Sequence, residues 1–179
     1  MKQQLSKLAL ALGAVVMTGN VMAADNATAT VSATVLEPIA ISVSKDMVLG
    51  NLVAGNGDVT LSTSGQRTKS GSTALVTSTG VQAAEFAVTG ASGATYSISY
   101  TDSSAELSTG GVTPSVMPIA FITEVGTTAG NKTATDSNAA SGTLTDGSQK
   151  IFAGAKVTVG ASQPAGAYSG SLKVTVAYN

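Results

Sequence analysis

Apolar and polar residues alternate with a period of two in nearly every ordered-looking stretch of this chain. From Asn26 to Leu36, Ala27, Ala29, Val31, Ala33 and Val35 fall on one side and Thr28, Thr30, Ser32 and Thr34 on the other. In the last run, Gly166 to Asn179, Leu172, Val174, Val176 and Tyr178 share one side. Successive side chains leave a strand on opposite faces, so both runs predict strands with one apolar face. Glu37-Pro38 breaks the first run, because proline donates no ladder hydrogen bond and restricts its predecessor. The alternation resumes at Ile39, Ile41 and Val43.

The same reading continues along the chain. Met47 to Val53 is a short apolar run closed by the turn cluster Ala54 to Asp58. Val59 to Ser62 is a strand, and Ser64 to Gly71 is a polar loop or short edge strand. Ala84 to Thr89 and Thr95 to Tyr100 flank the turn Ala91-Ser92-Gly93, which predicts a hairpin. Ala105 to Ser108 is short. Met117 to Val125 has no polar face before Thr123, which predicts a central strand buried on both faces. Gly126 to Gly142 lacks any apolar period and reads as an exposed loop or loose hairpin. Gln149 to Val159 is a strand, Gly160 to Gly166 a turn with Pro164, and Tyr168 to Tyr178 closes the domain.

No stretch after the first 23 residues shows a 3.6-residue stripe. Short strands separated by turn signals predict an all-β fold: an antiparallel, immunoglobulin-like sandwich of seven to eight strands. Its expected core is Phe86, Val88, Tyr96, Ile98, Ile119, Phe121, Ile151, Val157, Leu172, Val174 and Val176.

The first 23 residues read differently. Lys2 and Lys7 precede the apolar run Leu8 to Val16, which is too short to span a bilayer, and Val21-Met22-Ala23 suits cleavage. The expected organisation is a signal peptide over 1–23, an N-terminal extension over 24–36 and a sandwich domain over 37–179. No membrane span is expected after the signal is removed. Losing 23 of 179 residues leaves 156, enough for one domain with a sizeable core. Losing Lys2 and Lys7 leaves 7 basic against 10 acidic residues, a net charge of −3 with no basic cluster. Nucleic acid is therefore not an expected partner.

Cysteine, histidine and tryptophan are all absent. Ser-His-Asp chemistry, thiol chemistry and soft metal sites are excluded, and no catalytic, metal-binding or cofactor-binding residue is expected. Ser42-Val43-Ser44-Lys45 has the spacing of a serine acyl-enzyme motif. On a strand, however, Ser42 and Lys45 leave opposite faces. The carboxylates are scattered, and the nearest pair, Asp102 and Glu106, reads as solvated turn residues.

With the residues in view, two resemblances emerge. The C-terminal run resembles subunits of chaperone–usher pili: Tyr178 is penultimate, Val176, Val174 and Leu172 alternate before it, and Gly166 stands fourteenth from the end. The body resembles a secreted bacterial family known as a domain of unknown function, the 4402 family. The resembling segments are Leu49 to Gly55, Ser64 to Arg67, Phe86 to Gly90, Gly93 to Tyr96 and Gln163 to Gly170. The chain departs from many pilus subunits in lacking their disulfide.

The pilus resemblance implies a fibre subunit on the surface of a Gram-negative bacterium, secreted through the periplasm and serving adhesion or biofilm formation. Identical subunits are the implied partners, with a periplasmic chaperone and outer-membrane usher. Ala27, Ala29, Val31, Ala33 and Val35 would be a donor strand for a neighbour. Gly166, Leu172, Val174, Val176 and Tyr178 would mark the acceptor edge and the chaperone recognition site. Two other readings of residues 24–36 stay open, as the first strand of their own sandwich or as a disordered tail. The alternative function is a monomeric surface or biofilm-matrix adhesin domain.

Overall fold

The computed structural model describes residues 25–179 apart from 102, 114, 134 and 135. The expected signal peptide, Ala24 and Asp102 lie outside the described residues. The chain divides into two units, Met1–Thr34 and Val35–Asn179. In the first, residues 25–34 carry no strand and are exposed. The second holds twelve strands, and no helix occurs among the described residues.

The strands are β1 (Ala40–Lys45), β2 (Leu52–Val53), β3 (Gly57–Leu61), β4 (Arg67–Lys69), β5 (Ala74–Leu75), β6 (Ala84–Thr89), β7 (Thr95–Tyr100), β8 (Glu106–Ser108), β9 (Val116–Gly126), β10 (Ser141–Thr143), β11 (Ser148–Val159) and β12 (Val174–Tyr178). Seven have five residues or more, and the total exceeds the seven to eight expected because the other five are only two or three residues long. Of these, β4 and β8 fall within Ser64 to Gly71 and Ala105 to Ser108. Every pairing is antiparallel.

The longest strand, β11, organises the body. One edge carries β9 from Lys150 to Val157. The opposite edge carries β6 up to Ala153 and β3 from Ala155. Gly154 stands at the changeover. A Cβ there would lie 2.3 Å from the Leu61 carbonyl oxygen and 2.8 Å from the Ser62 carbonyl carbon, so only glycine lets the chain leaving β3 pass.

The ladder also curls. It runs β1, β6, β11, β9, β8, and then passes to residues 169–171 through backbone bonds between Ser108 and Ser169 and from Ser104 N–H to the Ser171 carbonyl. Those residues lead into β12, which pairs with β7. The buried core has two parts. Phe86, Val88, Tyr96, Ile98, Leu144 and Ile151 fill one, between β6, β11 and β7. Val59, Leu107, Met117, Ile119, Val157 and Val159 fill the other, inside the curl.

Two expectations are corrected here. The hairpin between Ala84–Thr89 and Thr95–Tyr100 does not form. β6 pairs with β1 and β11, while β7 pairs with β10 and β12. Their apolar faces meet across the core instead, because alternation marks which faces are buried and not which edges bond. The strand buried on both faces is β11, where Ile151 through Ala155 are all buried. β9 alternates from Val116 to Ala120 and is buried on both faces only at Ile122–Glu124. Loop residues cover the outer side here: Lys132 N–H bonds the Thr63 hydroxyl at 3.0 Å and Gly130 N–H bonds the Glu124 carboxylate.

On that outer side Phe152 lies between Glu85 and Glu124 in register, and all three are buried. Glu85 meets Lys150 at 2.7 Å and Lys45 at 2.9 Å. Hydrogen bonds from Lys150, then Lys45, hold its carboxyl below the ordinary glutamate range. A carboxyl whose folded pKa is lowered stabilises the fold above the unfolded value and loses that contribution as pH falls through the folded one. The melting temperature should therefore drop below the ordinary glutamate pKa, and Glu85→Gln should flatten that acid limb. An equally steep limb in the variant would remove Glu85 as its cause.

Seven of the eleven expected core residues are buried: Phe86, Val88, Tyr96, Ile98, Ile119, Ile151 and Val157. The other four, Phe121, Leu172, Val174 and Val176, are only partly buried.

Candidate strand-acceptor groove

Phe121 and Leu172 line an opening in the curl, and Val174 and Val176 lie on the edge strand β12. β1 pairs along one edge with β6, and β12 along one edge with β7; neither has a ladder partner on its other edge among the described residues. Beside the chain that enters β12 runs a trough made of two adjoining cavities of about 680 and 590 Å³. Leu49, Gly50, Asn51, Leu107 and Tyr168 line both, so the two are continuous. One lip is Val43 to Ala54 and the other runs from Gln163 to Leu172. The floor is apolar: Phe86, Ile119 and Phe121 under the first cavity, Met117 and Val159 under the second.

Each lip is held from behind. The chain's one arginine, Arg67, spreads its guanidinium over three backbone carbonyls: Leu49 at 2.7 Å, Asn51 at 3.2 Å and Val76 at 2.6 Å. Gly50 sits directly against it at φ 76°, and a Cβ there would come within 2.8 Å of Arg67 Nη1. On the far lip Gln163 Nε2 donates to the Val116 carbonyl at 2.9 Å and to the Tyr168 hydroxyl at 2.7 Å. That hydroxyl donates to the Pro164 carbonyl at 2.8 Å. Sequence reading placed Arg67 in a polar loop or short edge strand, and it opens the edge strand β4; its being the sole arginine was the available signal for its role.

Arg67→Ala should cost about 2–3 kcal/mol, the range for hydrogen bonds to a charged donor, and should loosen the near lip. Arg67→Lys should recover little, because an ammonium lacks the planar fork that spans separate carbonyls. Urea unfolding of the three chains checks both statements, and a lysine chain as stable as the parent would contradict the fork.

Of the predicted acceptor residues, two line the opening and three lie on β12. Gly166 is exposed and lines the second cavity, and Leu172 lines the first. Val174, Val176 and Tyr178 pair with Tyr100, Ile98 and Tyr96 and turn their partly buried side chains to the core. Tyr178 differs from the expectation in one respect, since its hydroxyl is engaged by its own chain. It accepts the Ala91 N–H at 2.7 Å and donates to the Glu37 carbonyl at 2.6 Å.

The predicted donor residues Ala27, Ala29, Val31, Ala33 and Val35 are all exposed. Val31 and Val35 are 93% and 95% exposed, values that an apolar side chain in a settled fold rarely shows.

Lys45 on β1 bonds Glu85. Among the described residues no three acidic groups cluster as a metal site would require. No described helix is long and apolar enough to cross a membrane.

A family model described as "Domain of unknown function (DUF4402)" matches residues 39–178. No curated protein and no solved structure matches the chain. The match begins just after Glu37-Pro38. Of the segments that resemble the family, Leu49 to Gly55 and Gln163 to Gly170 contribute to the two lips, and Ser64 to Arg67 supplies the arginine that holds one of them.

Proposed function

The chain belongs to the DUF4402 family, and we propose that it is a structural subunit of a bacterial surface fibre that polymerises by donor-strand exchange, in adhesion or biofilm formation. One observation carries the reading. Two residues that should be core by alternation and are only partly buried, Phe121 and Leu172, line an open trough beside the unbonded edge of β1, while a five-position apolar alternation lies exposed ahead of Pro38. The fold lacks a strand, and the arm has the form of one.

Strand directions favour a neighbour's arm over the chain's own. Consecutive strands alternate along the path β1, β6, β11, β9, β8 and 169–178, so β1 and β12 run in opposite directions. A strand laid between them is antiparallel to one and parallel to the other. The chain's own arm, turning back at Glu37-Pro38, would have to run antiparallel to β1 and parallel to β12, with proline in the turn. A second copy's arm is free to run antiparallel to β12, the better-bonded orientation.

Energetics agree. Each buried valine of the arm contributes about 1.5–3 kcal/mol and each alanine less, while about ten ladder bonds at roughly 0.5–1.5 kcal/mol each contribute at least as much. Backbone pairing then dominates and small side chains set the register. The distant edges are blunted. β4 and β10 are three residues each and β4 carries Arg67 and Lys69, so strand addition is confined to the trough side. Until a neighbour arrives the trough needs cover, a role for a periplasmic chaperone that hands subunits to an outer-membrane usher.

A labelled peptide of residues 25–36 tests this. The purified chain should bind it saturably, and should run as a ladder on a denaturing gel without boiling. A peptide in which Ala27, Ala29, Val31, Ala33 and Val35 exchange places with their polar neighbours should not bind. A chain that stays a single band and binds neither peptide is a monomeric surface domain instead.

A further inference from the structure

We infer that Tyr178 is a positioning residue for assembly: by holding the Glu37 carbonyl it fixes the point where the arm leaves the body and so stiffens the joint between neighbouring subunits. The inference rests on the strand-exchange reading and goes beyond it, because that reading makes Tyr178 only part of an acceptor edge.

The geometry is specific. The Tyr178 ring packs on the core, and its hydroxyl bridges the Ala91 N–H at 2.7 Å and the Glu37 carbonyl at 2.6 Å. Gly90 makes the seat. A Cβ there would lie 2.3 Å from the hydroxyl oxygen and 3.3 Å from Ile39 Cα. Gly90 is itself fixed by its N–H bond to the Gly147 carbonyl at 3.0 Å. Pro38 restricts the backbone of Glu37 from the other side.

The carbonyl of Glu37 is thus held both by a ring constraint and by a hydrogen bond. Tyr178 meanwhile belongs to β12, whose open edge would take the incoming strand. One residue therefore stands on the acceptor edge and holds the donor root. Only Leu36 separates the last inward arm position, Val35, from the held carbonyl. When Val35 is seated in one subunit, Glu37 of the same chain is pinned in its own body. That leaves a joint of about two residues in which bending is possible, far shorter than a flexible linker.

Tyr178→Phe removes the hydroxyl and keeps the ring. The variant's Ala91 amide should exchange roughly tenfold faster, as the loss of one hydrogen bond allows. Its fibres should form but bend, with a shorter persistence length in electron micrographs. If the variant folds poorly, Gly90→Ala displaces the hydroxyl while keeping tyrosine, and the same readouts apply. Fibres as stiff as the parent's in a variant with faster Ala91 exchange overturn the inference alone. A parent chain that neither binds the peptide nor forms fibres overturns it together with strand exchange.

Discussion

A chain carrying Val31→Asp should fold with an unchanged melting temperature and fail to form fibres, whereas Thr30→Asp should polymerise nearly as the parent does. Both residues are exposed in the free chain, so neither substitution disturbs the body. They differ in where strand pairing sends them. Val31 shares the face of Ala27, Ala29, Ala33 and Val35 and would enter the apolar trough, while Thr30 would face outward. A carboxylate taken from water into a site floored by Phe86, Ile119 and Phe121 meets one lining cation, Lys45, which is already paired with Glu85 at 2.9 Å. An unpaired buried charge costs several kcal/mol, so assembly should fall by about a hundredfold or more. Light scattering at matched concentration measures this. Equal rates for the two variants would show that the faces of the arm are not distinguished.

Gly154→Val should remove most of the stability of the body. Valine is otherwise a favoured strand residue, so propensity alone would call the change harmless. At this site the added Cβ meets the backbone leaving β3: Leu61 O at 2.3 Å, Ser62 C at 2.8 Å and Thr63 N at 3.0 Å. No side chain can rotate away, and relief requires β3 to part from β11. A cost above about 3 kcal/mol is expected, out of a total of about 5–15 for a domain. Thr158→Val, on the same strand but exposed, is the control: it loses one exposed hydrogen bond, to Asp58 at 2.8 Å, and should cost no more than about 0.5–1.5 kcal/mol. Urea midpoints for both chains decide it, and similar midpoints would contradict the crowding at the changeover.

The alternation made the fold class and most of the core legible, because a period of two needs only residue type. It could not say which edges bond. Phe86 and Tyr96 were correctly read as buried, yet the strands that carry them face each other across the core instead of pairing. Double burial was assigned to Met117–Val125 because that run is apolar. It belongs chiefly to β11, where Ala153 and Gly154 look bland in sequence, the one buried in the core and the other against the chain leaving β3.

For the groove, the arm and the last strand were visible as patterns. Leu172, Val174 and Val176 were expected to be buried, and a sandwich completed by one more strand would bury them. The lips were not legible. Arg67 acts on carbonyls of Leu49, Asn51 and Val76, and contacts to backbone leave no residue-type signature at the far end. The hydroxyl of Tyr178 meets Glu37 across 141 positions for the same reason.

The most direct measurement moves the arm. Residues 24–35 are deleted and the same residues are appended after Asn179 through a flexible linker. Asn179 adjoins the Tyr178 end of β12, so the appended strand can turn back and run antiparallel to β12 within the same molecule. Strand exchange requires this chain to be a soluble monomer that melts well above the simple deletion, forms no ladder and no longer binds the 25–36 peptide. A simple deletion that is already as stable as the rearranged chain, and that has no affinity for the peptide, would contradict it.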